Sequence, residues 1–299
     1  MEILMGDVAV TRVLEFVGPG GAPPEVITPT IPRELWDANR DWLIPEHWSA
    51  DETSYVGSSQ TFVLRSQGKT ILFDTGCGNG KERALPQFSM LQTNFLENLG
   101  AAGVKPEDVD IVINSHLHLD HVGWNTHDEN GEWAVTFPNA TYLIPRPDFE
   151  FWNPDNGNVS KALGQFNDVA FEDSVRPVDN AGRVELWEDT YVIDSNLRLE
   201  HAPGHSPGAA IVKLESGSDR IVFAADTLHV PLQILEPDGS SCYCEDPTTA
   251  TVTRHKVLGW AAENGALVMP GHFAGTGGAE VIRDGSKFAI KQWAPFNRF

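Results

Sequence analysis

The stretch His116-Leu117-His118-Leu119-Asp120-His121 decides how this chain is read. Four side chains able to ligate a metal fall within it, separated by two leucines. In an extended segment, residues two apart point the same way. His116 and His118 can therefore grip one cation while Leu117 and Leu119 enter a core. Asp120 and His121 lie at the turn that follows and can face a second cation. A lone histidine is usually satisfied by local hydrogen bonds, but three with a carboxylate at this spacing point to a metal.

The cluster follows directly on Val109 to Ile113, a short apolar run of the buried-strand type. In open α/β folds the carboxyl ends of strands are where ligand sites are built. Three later residues share that context. His205 lies in Pro203-Gly204-His205-Ser206-Pro207-Gly208, Asp226 follows Ile221 to Ala225, and His272 follows Leu267 to Gly271. If those strand ends converge on one sheet edge, five imidazoles and two carboxylates meet. Imidazole and carboxylate without thiolate favour zinc, with manganese, iron or cobalt also suited. Asp74, at the strand end Phe73-Asp74-Thr75-Gly76, is open to two readings: a turn residue, or an acceptor that holds a ligand histidine.

The rest of the chain alternates strands and helices. Val8 to Phe16 reads as a strand, and Thr61 to Leu64 and Thr70 to Phe73 as a hairpin about Ser66-Gln67-Gly68-Lys69. Residues 17–57 are rich in Pro and Gly but carry Trp36, Trp42 and Trp48, too aromatic for a disordered linker. They are expected to form an ordered arm over the domain, covering a site or a partner subunit, which leaves room for a homodimer. Phe88 to Leu99 has apolar residues at helical spacing, and Gly100 reads as its cap. Asn130-Gly131 signals a type I′ hairpin, and Ala140 to Ile144 another strand. Residues 145–180 read as an inserted lid or pocket wall. Short strands follow at Val184 to Trp187, Tyr191 to Ile193, Leu197 to Glu200, Ala209 to Leu214 and Arg220 to Ala224. Asp246 to Asn264 reads as a helix with Asp246 as N-cap, Pro247 at N1 and Gly265 at its end. Ala266 to Met269 and a hairpin about Asp284-Gly285 close the chain. Without a repeat or a convincing linker, residues 1–299 read as one α/β domain.

Composition narrows the partners. The net charge of −21 repels polyanions. Nucleic acid is therefore not expected, because its binding depends on Lys and Arg neutralising phosphates. Three cysteines, Cys77, Cys242 and Cys244, are too few and too oddly numbered for a disulfide framework. The first residues lack a basic region followed by an apolar core, and no apolar run approaches the ~18 residues of a membrane span. A soluble, cytoplasmic protein without a membrane partner is the expectation.

On Phe73-Asp74-Thr75-Gly76, His116-x-His118-x-Asp120-His121, Gly204-His205-Ser206-Pro207-Gly208, Asp226 and Gly271-His272, taken in this order, the chain resembles the metallo-β-lactamase superfamily. The resemblance covers roughly residues 59–273. It implies a four-layered αβ/βα sandwich with a dinuclear site at one edge. It also implies that His116, His118 and His205 hold one metal, that Asp120, His121 and His272 hold the other, that Asp226 bridges both, and that Asp74 supports a ligand. Two divalent cations, zinc foremost, would then turn a shared water into hydroxide for attack on a carbonyl or phosphoryl centre, with Asp120 orienting the water and moving a proton.

Among the branches of that family, His121-Val122-Gly123-Trp124-Asn125 and Asp226-Thr227-Leu228-His229 are most similar to acyl-homoserine lactonases and to related aryl-ester and phosphotriester hydrolases. A small lactone or ester is the implied substrate, with phosphotriesters as the alternative. Lactonases of that branch commonly carry Tyr three residues after the bridging Asp; here His229 stands there. His229 either assists the oxyanion or leaving group or is simply packed. Trp124, Phe149, Phe151 and Trp152 are the expected pocket wall. His47, His127, His201 and His255 match no ligand position. A strict β-lactamase or a glyoxalase-type thioester hydrolase shares the ligands but is the weaker reading. An RNA-processing nuclease is opposed by the charge. An iron oxidoreductase or a non-enzymatic relative would be expected to have altered or lost ligands.

Overall fold

The computed structural model describes residues 2–164 and 167–296. Alternation of side chains along the strands dictates its layers. Phe62, Leu64, Ile71, Phe73, Ile221 and Phe223 share one buried cluster, whereas Val63, Leu72 and Val222, one residue away in each case, belong to others. Both faces of these strands are thus apolar, which requires cover on both sides.

Two seven-stranded sheets satisfy that requirement. The first is built from β1 (Glu2–Met5), β2 (Val8–Pro19), β3 (Val56–Ser66), β4 (Lys69–Phe73), β5 (Ile111–Ile113), β8 (Thr141–Pro145) and β9 (Val184–Trp187), in that spatial order. It is antiparallel from β1 to β4 and parallel from β4 to β9. The small hairpin β6 (Thr126–Glu129) and β7 (Glu132–Val135) turns at Asn130 and Gly131, both at positive φ. The second large sheet runs β10 (Thr190–Val192), β11 (Leu197–His201), β12 (Ala210–Ser216), β13 (Asp219–Ala225), β14 (Leu267–Pro270), β15 (Ala279–Asp284) and β16 (Lys287–Trp293). Only its β13–β14 pair is parallel.

The inner faces of the two sheets meet in a core in which Phe223 lies 5.1 Å from Phe62 and 5.9 Å from Phe73, centroid to centroid. Helix Pro247–Asn264 covers the outer face of the second sheet through Val257, Leu258 and Ala261. Helix Phe95–Ala101 covers the first through Phe95 and Leu99. The order is helix, sheet, sheet, helix, the four-layered αβ/βα sandwich that the family resemblance implies. Helix Pro247–Asn264 begins as its sequence signals require, with the Asp246 carboxylate accepting from the amides of Thr248 and Thr249, and ends on Gly265 at φ 60°.

One expectation changes. The helix read over Phe88 to Leu99 begins only at Phe95. Met90 sits at φ 54°, and the backbone of residues 80–91 pairs with itself, Gly80 to Leu91 and Met90 to Lys81. Gly100 lies inside the helix, and Gly103 at φ 73° follows its end. Residues 145–180 form the crossover between the parallel strands β8 and β9, with helices Arg146–Trp152 and Arg176–Asn180. Between β2 and β3, the arm folds into three short helices and buries Trp36 edge-on against Trp48, beside Val230 and Leu232. None of the described helices is long and apolar enough to cross a membrane.

Replacing Phe223 by Ala should remove about 3–5 kcal/mol of stability, measured by denaturant unfolding, because its ring joins the inner faces of both sheets.

Candidate metal centre

Five strand ends and turns deliver the polar groups to one edge. The chain leaves β4 at Asp74, β5 at Asn114, β13 at Asp226 and β14 at Gly271-His272, and His205 lies in the turn between β11 and β12. Asp74 and Ala225, the residue before Asp226, both take positive φ, 59° and 43°. Such strain in residues other than glycine collects at functional sites. The turn around the cluster is not extended throughout: His118 precedes a single helical turn, Leu119–Val122, which carries Asp120 and His121.

Among the described residues, His116, His118, His205 and Asp226 form one group and Asp120, His121 and His272 a second, with the donor atoms of each group within 4.8 Å of one another. Asp226 stands between them. Its Oδ2 is 3.1 Å from His205 Nε2 and 3.1 Å from His272 Nε2, and its Oδ1 is 3.3 Å from His121 Nε2. His272 Nε2 also lies 3.5 Å from Asp120 Oδ2.

The ring orientations are held from behind. His116 Nδ1 meets Ser115 Oγ at 2.9 Å, His121 Nδ1 meets Asp74 Oδ2 at 2.9 Å, and His272 Nδ1 meets the Ser58 carbonyl at 2.9 Å. Such rear hydrogen bonds fix tautomer and orientation in metal-binding histidines. Asp74 meets His121 through one oxygen, and its other oxygen accepts from the Ser115 amide at 2.7 Å.

The donor set fits divalent cations. His205 Nε2 lies 3.1 Å from His116 Nε2 and 2.9 Å from His118 Nδ1 as well as near Asp226. One ring proton cannot serve two nitrogens and a carboxylate at once, whereas a cation accepts a lone pair from each. His121 Nε2 and Asp226 Oδ1 are buried without a hydrogen-bond partner while facing each other.

Electrostatics divide the histidines into two sets. Burial, helped by neighbouring imidazoles, pushes His116 and His118 well below the usual histidine range, into the neutral form a ligand requires. Burial also opposes charge on His121, but Asp226, Asp74 and Asp120 outweigh it and hold its pKa well above the usual value. At His205 the same contest, with Asp226 as the main opposing charge, ends at about 9. Burial would raise Asp226, yet His272, His121, His205 and His229 hold it well below the carboxylate range.

A cavity of about 200 Å³ opens onto this edge. His118, Asp120, His205, Asp226, His229 and His272 line its polar side, and Phe16, Pro19, Leu85, Phe88 and Leu163 its apolar side. His229 is buried, with Nε2 3.2 Å from Asp226 Oδ2, and burial lowers it to about 4, so it is neutral near pH 7. Tyr55 and Tyr243 also reach the cavity. Burial raises both phenols, Tyr243 to about 12 and Tyr55 well above its usual value, so both keep their protons near pH 7.

None of the four aromatic residues expected in the pocket wall lines this cavity. Trp124 stacks on Phe95 at 5.4 Å and donates its indole N–H to the buried Glu15 at 2.7 Å, which ties it into the core of the first sheet. Trp152 lies behind His118, edge-on at 5.0 Å, and donates to Ser206 Oγ. Phe149 packs on Phe171, and Phe151 on Trp152. These rings lie near the motifs in sequence, but their faces are used for packing. The wall of this cavity comes from residues 16–20, 55 and 85–88, from Leu163 in the 145–180 stretch and from Tyr243, distant segments whose convergence no local pattern announces. The remaining histidines are placed elsewhere: His201 bonds the Pro207 carbonyl, His255 pairs with Asp238, His127 meets Thr136, and His47 stacks on Trp293.

The chain belongs to the metallo-beta-lactamase superfamily, whose family profile matches residues 54–272. An N-acyl homoserine lactonase of Bacillus cereus is 25% identical over 54% of this chain and 60% of its own length. The N-acyl homoserine lactonase AttM of Azorhizobium caulinodans is 32% identical over 58% of this chain and 61% of its own. This chain therefore spans about three fifths of these relatives. Among solved structures, the hydrolase AbOPH of the beta lactamase superfamily superposes with TM-score 0.78 at 24% identity, covering 99% of this chain and 97% of that one. The lactonase AidC superposes with TM-score 0.76 at 22% identity, covering 100% and 98%. At these identities the superpositions speak for the fold.

Trp124→Phe removes one donor from Glu15 and should cost about 1–3 kcal/mol of stability. It should leave KM for any substrate of the site unchanged, because the ring does not face the cavity. Thermal unfolding and steady-state kinetics measure the two effects separately.

Proposed function

We propose that this protein is a metal-dependent hydrolase that opens a small lactone or cleaves a small ester, with two divalent cations, most naturally zinc, at the two groups joined by Asp226. The observation that carries this reading is the pairing of those groups at the floor of a cavity with an apolar wall. The relatives named N-acyl homoserine lactonase and the structure of AidC, titled a dizinc quorum-quenching lactonase in complex with a product, support the same class. Aryl esters and phosphotriesters are the second reading, favoured by His229 at the position where lactonases of the branch the sequence resembles commonly carry tyrosine.

Bound divalent cations supply an acidified water as nucleophile and a Lewis acid at the substrate carbonyl. The chain's own residues do the rest. Asp226 holds the two halves of the cluster in register. Asp120, whose side chain borders the cavity, accepts a proton from the attacking water and delivers it to the leaving alkoxide. The acyl carbon gains one oxygen and loses the other, so no further reactant is needed. Tyr243 and Tyr55, protonated near pH 7, are suited to donate to the substrate's carbonyl or amide oxygen. Neutral His229 buttresses Asp226 and presents a ring edge to the leaving group. Phe16, Leu85, Phe88 and Leu163 strip water from the apolar part of the substrate.

Asp226→Ala should lower kcat/KM for the substrate by more than the ~10–100-fold expected from losing an outer partner of a metal ligand. The assay is a panel of lactones, aryl esters and phosphotriesters, and unchanged turnover by the variant would sink the role given to Asp226. Gly18 lines the cavity, and a Cβ there meets nothing within 4 Å. Gly18→Leu should therefore narrow the apolar wall without strain. It should raise KM for long-chain acyl lactones while short-chain lactones are spared, and equal effects on both would place the acyl chain elsewhere.

A further inference from the structure

Asp148 is fully buried, yet its carboxylate touches neither the cavity nor a ligand ring. It accepts three hydrogen bonds: Leu117 N–H to Oδ2 at 2.8 Å, and Gly208 N–H at 2.6 Å and Ser206 Oγ at 2.5 Å to Oδ1. Leu117 lies between His116 and His118, and Ser206 and Gly208 closely follow His205. One carboxylate therefore binds together the two turns that carry all three imidazoles of the first group. Burial raises its pKa above the usual carboxylate value, and the three donors offset only part of that. Asn167 completes the frame. Its amide donates to the Leu117 carbonyl and accepts from the Leu119 N–H, both at 2.8 Å, so the backbone on either side of His118 is held. Trp152, on the same short helix as Asp148, donates to Ser206 Oγ at 3.0 Å. Glycine is required at position 208, because a Cβ there would come within 2.3 Å of the Asp148 nitrogen.

We infer that Asp148 and Asn167 are positioning residues that set the spacing of His116, His118 and His205, and with it the cation affinity of that half of the site. The crossover between β8 and β9 thereby becomes a frame for one metal subsite. Asp74, on the opposite side of β5, supports His121 in the other group. The inference rests on the reading that the cluster binds divalent cations.

Asp148→Asn keeps the volume but turns an N–H toward a backbone N–H or a hydroxyl that needs an acceptor. Ser206→Ala removes one of the three bonds with little risk to folding. The full chain is loaded with zinc, dialysed against graded chelator and assayed for bound zinc, and thermal unfolding is recorded with and without metal. Wild type is expected to hold two zinc ions. Asp148→Asn, and Asn167→Ala in parallel, should lose one of them at about 10–100-fold lower chelator concentration, with Ser206→Ala shifted in the same direction by less. The metal-induced rise in Tm should shrink in step. In cobalt-loaded protein, the visible bands of one subsite should change while those of the other persist. Zinc retention and a metal-induced Tm rise equal to wild type in all three variants would overturn the positioning role. A wild-type protein that binds no zinc would instead overturn the metal reading itself.

Discussion

Asp226 is the point on which the structure turns. A buried carboxylate surrounded by His121, His205, His229 and His272 is costly to assemble, because desolvation opposes its charge and imidazoles packed together repel when protonated. The fold accepts that cost at one edge and recovers stability elsewhere, in the dry interface between the two sheets. The site is therefore assembled on rigid strand ends, with residues in left-handed backbone conformations on either side. Loose loops could not hold four imidazoles within a few ångströms of one carboxylate.

Parallel pairing explains why the edge exists. β4, β5, β8 and β9 run the same way in the first sheet, and β13 runs with β14 in the second. Their carboxyl ends come out together, so Asp74, the His116–His121 turn, Asp226 and His272 meet although they are far apart in sequence. The acidic surface is compatible with this arrangement, because solvation and salt screen exposed carboxylates, whereas the buried ones need partners.

Much of this was legible in the amino-acid sequence, for definite reasons. Every strand of the two sheets except β1 is visible as alternation or as a short apolar run between turn residues. The metal-binding group stands out because its residues are rare together and sit just past those runs. Helix Pro247–Asn264 is legible because capping is local chemistry. What failed were properties that need three dimensions. Phe88 to Leu99 has helical spacing, but its first half is bent into a loop that brings Leu85 and Phe88 to the cavity. Trp124 and Trp152 sit close to motif residues in sequence, but an indole beside a site is as readily used to brace it as to line it. Tyr55 and Tyr243 carry no local signal, since each matters only through where the arm and the loop before helix Pro247–Asn264 come to rest.

The same contrast separates two kinds of specificity in this molecule. The cluster is drawn from contiguous motifs and supported by backbone hydrogen bonds, so its geometry resists change. The wall is drawn from the end of β2, the arm, the 85–88 turn, Leu163 and Tyr243, none of which belongs to either polar group. Gly20 shows how finely that wall is fitted, because a Cβ there would overlap the Tyr55 ring, at 2.1 Å from its Cζ. A side chain at position 20 would push Tyr55 aside and reshape the cavity mouth while leaving the seven converging polar groups in place. The shape of the cavity can therefore drift through the arm and the turn, independently of the converging polar groups.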